Sequence, residues 1–390
     1  MAGAFHGPLH TPEFHHDPFP TYRLLRDDHP TFHDAERDTY VLTRFADVIE
    51  AARDHGVFSS HDPHPDVHDR MTRMDPPRHD VWRRFTSDRF RPRAIGRLES
   101  QIRDIARLLV TGLIEPDGAP VDAVSGFAAP IPSNVIGDLI GVPREHNARL
   151  HTLSETSIAG GSPAASEELR RAAAVANQEV YDLFDPLIRQ RRHEPGDDLI
   201  SVLVAVEVEG APLTREQLLG YCLHLVVAGN DTTANLISNG ILQLARHPDV
   251  RRRLVENPSL IPRAVEELLR YEGPVQMLPR TATSDVHLHG VTIPAGAPVE
   301  LYWGAANRDD RQFDRPDDFD IDRPDERHLG FGHGAHFCLG AHLARLEARV
   351  AIEELLRRVP EYEIAAEDDL AYKPGWAIRG LDRLLVVPRP

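Results

Sequence analysis

"FGHGAHFCLG", residues 331–340, sets one cysteine among three glycines and two histidines, just ahead of a long run of helix-forming residues. Gly332, Gly334 and Gly340 allow tight turns and bring backbone amides close to whatever Cys338 carries. The run that follows predicts a helix opening at Leu339, which places Cys338 at a helix N-terminus. There, free N–H groups and the helix dipole favour a thiolate over a thiol. The chain's other cysteine, Cys222, lies in an apolar helical run.

The loop alone leaves three readings open. Cys338 is a small core residue, as cysteines beside helices commonly are. Or it belongs to a zinc site with His333, His336 and His342, although structural zinc sites usually draw on two separated ligand pairs. Or it is the single axial thiolate of a haem iron, with the glycines making room for a flat ring.

The whole chain narrows the setting. Its 390 residues bury a sizeable core without staples, and two cysteines make no disulfide framework, so a reducing compartment is expected. A net charge of −17 argues against nucleic acid or an anionic membrane as the main partner. The N-terminus, "MAGAFHGPLHTPEFHHDPFP", has neither a signal peptide's apolar core nor a membrane anchor. The longest strongly apolar stretch, "LLGYCLHLVVAG" (218–229), falls short of the roughly 20 residues a spanning helix needs. A cytoplasmic protein without a membrane anchor is expected. Lys373 is the only lysine, and the balance of lysine to arginine carries no mechanistic weight.

Along the chain the expectation is one domain over residues 1–390, mainly α with small β-sheets. Helices dominate about 79–272 and 339–359, and β-rich parts lie near 31–44, 291–302 and 362–388. "TREQ" (214–217) is a capping box opening a helix of more than 30 residues that stops at His247-Pro248. "VTIPAGAPVELY" (291–302) predicts a hairpin turning at "PAG".

Three distant features bear on the cysteine. "AGNDTT" (228–233) puts poor interior helix formers in the middle of the long helix and predicts a local opening or bend. Its flanks are apolar on most faces, so Asp231 and Thr232 belong inside, where a carboxylate and a hydroxyl are costly unless they do proton chemistry. "EELLR" holds Glu267 and Arg270 three apart, usually no more than a surface ion pair. "HDVWR" holds His79 and Arg83 on one helical face, able to donate to carboxylates but unremarkable alone.

Taken together, these segments resemble the cytochrome P-450 family of haem-thiolate monooxygenases. "FGHGAHFCLG" with "LAR" after it looks like the family's haem-binding loop, "AGNDTT" its oxygen-activating groove, "EELLR" its Glu-x-x-Arg pair and "MDPPRHDVWR" its haem-contacting helix. The likeness spans about residues 10–388. It implies the P-450 fold, with a long central distal helix and a proximal cysteine-ligand loop, and haem b as cofactor. Cys338 would be the axial thiolate on the iron, with His79, Arg83, Arg280 and His336 on the haem propionates. Asp231 and Thr232 would be catalytic, for proton supply and dioxygen positioning, and Glu267 and Arg270 structural. Many relatives carry an arginine where this chain has Asp318, so Arg323 is the candidate third partner of the Glu–Arg pair. The implied reaction inserts one oxygen atom of O2 into a C–H bond or alkene of a hydrophobic small molecule. That substrate would be a terpenoid, steroid, macrolide or fatty acid. Two other classes remain open: a non-catalytic haem-thiolate binder or sensor, and a zinc-stabilised helical protein.

The chain has no flavin or iron–sulfur module, so electrons are expected from a separate ferredoxin and ferredoxin reductase, and a monomer is expected. Residues 70–97 hold nine arginines against Asp75, Asp80 and Asp88, a local charge of 9 − 3 = +6 suited to an acidic ferredoxin. The substrate would touch the 56–74 loop, the 150–195 region, Val226 to Thr233, Val275 to Leu278 and the turn near Trp376. Val226, Val275, Met277, Leu278 and Ile378 supply its apolar lining. His55, His61, His64 and His68 read as a polar lid rather than a metal site, and "AGGSPAAS" (159–166) as a second mobile segment.

Overall fold

The computed structural model describes residues 9, 11–61, 70–114, 118–161, 165–324, 327–365, 367–373 and 377–389. It is mostly helical with small sheets. The expected contacts at His64, His68 and Trp376, and part of the 159–166 segment, lie outside the described residues.

The long central helix runs from Arg215 to Arg246, 32 residues. Thr214 and Gln217 form the expected capping box: the Gln217 amide donates to Thr214 Oγ1 (3.2 Å) and the Thr214 amide to Gln217 Oε1 (2.9 Å). Such a cap is worth about 1 kcal/mol. Three helices, Pro130–Ile140, Asn147–Gly160 and Glu167–His193, pack against the central one, as does the C-terminal helix Ala341–Arg358. The expected opening at 228–233 is absent. The helix is continuous, and the Thr232 hydroxyl donates to the Ala228 carbonyl at 2.9 Å. Apolar packing on both flanks outweighs the poor propensity of the polar cluster, and the hydroxyl satisfies itself on the i−4 carbonyl without unwinding the turn.

Five strands form the main sheet, in the order Thr31–Asp34, Thr39–Leu42, Pro298–Leu301, Leu278–Ala282, Phe58–Ser59. Val299 sits opposite Tyr40 in a parallel pair and opposite Arg280 in an antiparallel one. The hairpin expected at 291–302 is not formed. Val291–Ile293 pairs instead with Val286–Leu288, across His289 and Gly290, whose φ values are 50° and 80°. Two successive left-handed residues match the twist of a two-residue hairpin, which "PAG" does not. The tail strands Tyr362–Ile364 and Leu385–Pro388 pair with each other and, through the latter, with Val121–Asp122.

The helix Arg78–Ser87 is fixed to the central helix by Trp82, which stacks on Tyr221. The Tyr221 hydroxyl lies 2.7 Å from Thr86 Oγ1. Fixing Trp82 inward leaves His79 and Arg83, one turn apart, aimed along the same side of that helix.

Candidate active site

The cysteine loop is closed by the Cys338 amide donating to the Phe331 carbonyl (2.9 Å). Gly334 has φ +73°, and a Cβ there would stand 2.4 Å from the Ala52 carbonyl oxygen, so only glycine lets the loop seat on the helix Phe45–Arg53. The following helix begins at Ala341 with Gly340 as its cap, so Cys338 stands two residues before the cap rather than against the first turn. Burial pushes the Cys338 thiol up, while the Gly340 amide and the Arg83 and Arg345 guanidiniums favour the thiolate. The thiol lies at core depth, although Cys338 as a residue keeps partial exposure. Cys222, by contrast, is fully packed and pushed up to about 12 by burial.

Three of the expected cofactor residues converge. The rings of His79 and His336 lie 4.3 Å apart, and both Nε2 atoms are buried without a hydrogen-bond partner. Arg280 is buried beside them, and its hydrogen bond goes only to the carbonyl of Pro279. Burial, with Arg280 and His79 near, pushes His336 down to about 3. Burial also takes Arg280 down to about 10, against the pull of Asp75, which Ser59 and Ser60 hold in place. Leaving a buried donor unmet costs about 1–3 kcal/mol each. A group carrying several anionic oxygens is what this trio lacks. Arg83 stands apart from it, within the electrostatic reach of Cys338.

On the central helix, Asp231 is 2% exposed. Its Oδ1 accepts from Lys373 Nζ at 2.7 Å and its Oδ2 from Asn235 Nδ2 at 3.2 Å. Lys373 also reaches Glu155 Oε1 at 2.5 Å, and His151 Nε2 lies 3.5 Å from the same oxygen. Burial works against the Lys373 charge, but Asp231 and Glu155 outweigh it and raise its pKa. Sequence reasoning missed this chain of charges. The available signal was a solitary lysine among arginines, since a lysine gives a compact, strongly hydrated point charge where arginine gives a planar fork. The C-terminal segment can come this close because Gly380 has no side chain: a Cβ would lie 2.1 Å from the Asn235 amide.

One stripe of the otherwise buried central helix is open: His224, Ala228 and Thr232, at i, i+4 and i+8, with Val227 and Gly229 beside them. Val226 faces the packed core and Met277 belongs to a satellite core with Phe14 and Tyr22, so neither lines this opening as expected. Val275, Leu278 and Ile378 stay partly exposed, Val275 and Ile378 forming a bridge.

Glu267 and Arg270 form a buried fork, both contacts at 2.7 Å. Arg270 also donates to the carbonyls of Asn307, Pro316 and Asp318, which lie on the segment leading to the cysteine loop. Asp318 contributes its carbonyl. Arg323 Nε reaches Glu267 Oε1 at 3.4 Å. For the zinc reading, no three histidine, cysteine or acidic side chains converge on a metal position among the described residues, and His333 is held by Arg53 at 2.6 Å.

The cytochrome P450 family model matches residues 163–364. The vitamin D(3) 25-hydroxylase of Pseudonocardia autotrophica is 40% identical over 97% of this chain and 95% of its own length. Cytochrome P450 130 of Mycobacterium tuberculosis is 38% identical over 97% and 96%. The chain belongs to the cytochrome P450 family. Among solved P450 structures, CYP109E1 of Bacillus megaterium in complex with testosterone superposes with a TM-score of 0.90 at 34% identity, covering 97% of this chain and all of that one. This P450 is therefore a haem-dependent monooxygenase that uses O2 and electrons from redox partners, and no helix among its described residues is long and apolar enough to cross a membrane. The histidine–arginine trio and the Cys338 thiol fit the haem: two imidazoles and a guanidinium for its carboxylates, and a sulfur for its iron.

Proposed function

We propose that this P450 hydroxylates or epoxidises a hydrophobic small molecule of terpenoid, steroid, macrolide or fatty-acid type, on haem b, with electrons from a ferredoxin and its reductase. The observation that carries this reading is the cluster of His79, His336 and Arg280, in which the Nε2 atoms of both histidines are buried with no hydrogen-bond partner among the described residues, on the loop and helix that flank Cys338. The substrate range takes support from relatives that are a vitamin D(3) hydroxylase and a testosterone complex.

When bound, the haem supplies dioxygen activation and transfer of one oxygen atom to substrate, the other leaving as water. Cys338 would hold the iron as a thiolate, its charge favoured by the Gly340 amide, Arg83 and Arg345. His79, Arg280 and His336 would hold the haem carboxylates, with Arg83, one turn from His79 on the same helix, the fourth candidate. Thr232 presents its hydroxyl on the open stripe of the central helix, and Asp231 is the carboxylate through which protons pass, held in place by Lys373 and Asn235. Glu267 and Arg270 hold the segment that carries the loop.

The absorption spectrum of the reduced protein under carbon monoxide tests the reading. We expect the strongly red-shifted Soret band of a thiolate-ligated carbonyl haem, and its loss in Cys338→Ser. A zinc-containing, colourless protein, or a carbonyl band at the ordinary haem-protein position, overturns it.

The ferredoxin proposal rests on the basic segment. Arg89 is paired with Asp197 and Arg91 with Asp88, whereas Arg84, Arg93 and Arg97 are exposed with no acidic partner among the described residues. Arg84 follows Arg83, which senses Cys338, and the short helix Pro92–Ile95 that holds Arg93 packs on the C-terminal helix. Phe337, beside the ligand, is 41% exposed and adds an apolar contact to this face. Reversing Arg84 or Arg93 to Glu is expected to slow reduction by ferredoxin about tenfold at low salt and to flatten its salt dependence, as lost steering does. Unchanged stopped-flow rates in both variants place the dock elsewhere.

A further inference from the structure

The site that awaits the haem carboxylates already holds a carboxylate of its own, Asp75. Its contacts fix it beside His79, His336 and Arg280. The Asp75 carbonyl accepts from the His79 amide at 3.0 Å, one turn before that histidine, whose ring lies 4.3 Å from that of His336. Its side chain accepts from the Ser59 hydroxyl and, at 2.8 Å, from the Ser60 amide. Ser59 pairs with Thr281 between the antiparallel strands Phe58–Ser59 and Leu278–Ala282. The next step of that register sets Ser60 beside Arg280. In keeping with this placement, the Asp75 charge acts on both Arg280 and His336.

Asp75 nevertheless does not pair with Arg280. One of its oxygens is taken by Ser59 and the other by Ser60, and the hydrogen bond of Arg280 goes to the Pro279 carbonyl. No ion pair joins Asp75 to a cation among the described residues. A carboxylate free to reach Arg280 would close the site on itself. One held back by two serines leaves the guanidinium open and adds a fixed negative charge next to it. With the haem bound, its carboxylates share Arg280 with that charge and are neutralised less completely. An uncompensated negative charge beside a redox group opposes the arrival of an electron. Resting on the haem-thiolate reading, we propose that Asp75, held off Arg280 by Ser59 and Ser60, sets the charge at the carboxylate end of the haem and so disfavours one-electron reduction of the ferric iron.

The test is a spectroelectrochemical titration of the holoenzyme, read as the ratio of ferrous to ferric protein at a fixed applied potential. Asp75→Asn removes the charge and keeps the shape: its carbonyl oxygen still accepts from Ser60, and its amide group donates to the Ser59 hydroxyl. At the same potential this variant should hold about ten times the parent's ferrous-to-ferric ratio, the order expected of one partly screened unit charge. For a one-electron couple that is a rise of about 59 mV. Asp75→Glu keeps the charge and should stay close to the parent's ratio, whereas a packing defect would move both variants alike. If Asp75→Asn leaves the ratio unchanged or lowers it, or if Asp75→Glu shifts it as far as Asp75→Asn does, the proposal is wrong. The reduced carbonyl spectrum separates this failure from failure of the underlying reading. A thiolate-type band with an unchanged ratio removes the role of Asp75 alone, and a parent without that band removes the haem-thiolate reading itself.

Discussion

Replacing Arg270 by Leu should destabilise the protein by about 3 kcal/mol or more and yield a chain that retains little haem. The reasoning starts from burial. Glu267 and Arg270 expose almost nothing, and their forked contact at 2.7 Å satisfies two oxygens with two nitrogens. Breaking a buried pair from one side leaves the other charge desolvated and uncompensated, which costs about 3–5 kcal/mol. Glu267 keeps two partners in the variant, the Asp320 amide at 2.9 Å and Arg323 at 3.4 Å, which favours the lower end of that range. Against this, the carbonyls of Asn307, Pro316 and Asp318 all lose a donor at once. These carbonyls belong to the irregular segment before the cysteine loop, so the damage concentrates where Cys338 is positioned. Urea unfolding measures the stability loss, and Soret absorbance per polypeptide measures the haem retained. Arg270→Lys keeps the charge but not the fork and should fall between. A Leu variant that unfolds at the parent's midpoint with full haem would mean the pair holds nothing in place.

The contrast between what the sequence disclosed and what it hid follows from the range of the interactions. The cysteine loop, the capping box at Thr214–Gln217 and the Glu267–Arg270 fork are local, and each was readable within a few residues. The register of the strands near 291–302 was misread because the turn is chosen by backbone handedness at His289 and Gly290, not by the more conspicuous "PAG". The start of the helix after Cys338 lies at Ala341 rather than Leu339, a boundary that the helix-forming run alone does not mark. Arg323 could be named as a candidate, but only the packing of the 314–323 segment brings its Nε to Glu267. Lys373 was out of reach, since Asp231 and Lys373 are 142 residues apart in sequence.

Lys373 carries the second large prediction: Lys373→Met should lower turnover by tenfold or more while the thiolate carbonyl spectrum stays that of the parent. Its Nζ is the only cation bonded to Asp231 among the described residues, and it binds Glu155 through the same nitrogen. Removing it takes away the cation that two carboxylates share, leaving their mutual repulsion uncompensated. Asp231 then loses its anchor and keeps, among the described residues, the amide of Asn235. Positioned proton transfer is worth about 10²–10⁴ in rate, so losing part of it accounts for the expected drop. Lys373→Arg restores a cation and should recover part of the rate. Combining Lys373→Met with Glu155→Gln removes the like-charge repulsion and should recover stability without recovering turnover, because Asp231 still lacks its anchor. Glu155 sits on the helix Asn147–Gly160, so the same lysine also ties that helix to the central one. If Lys373→Met turned over at the parent's rate, the ion pair would be a tether between helices and Asp231 would need no cation.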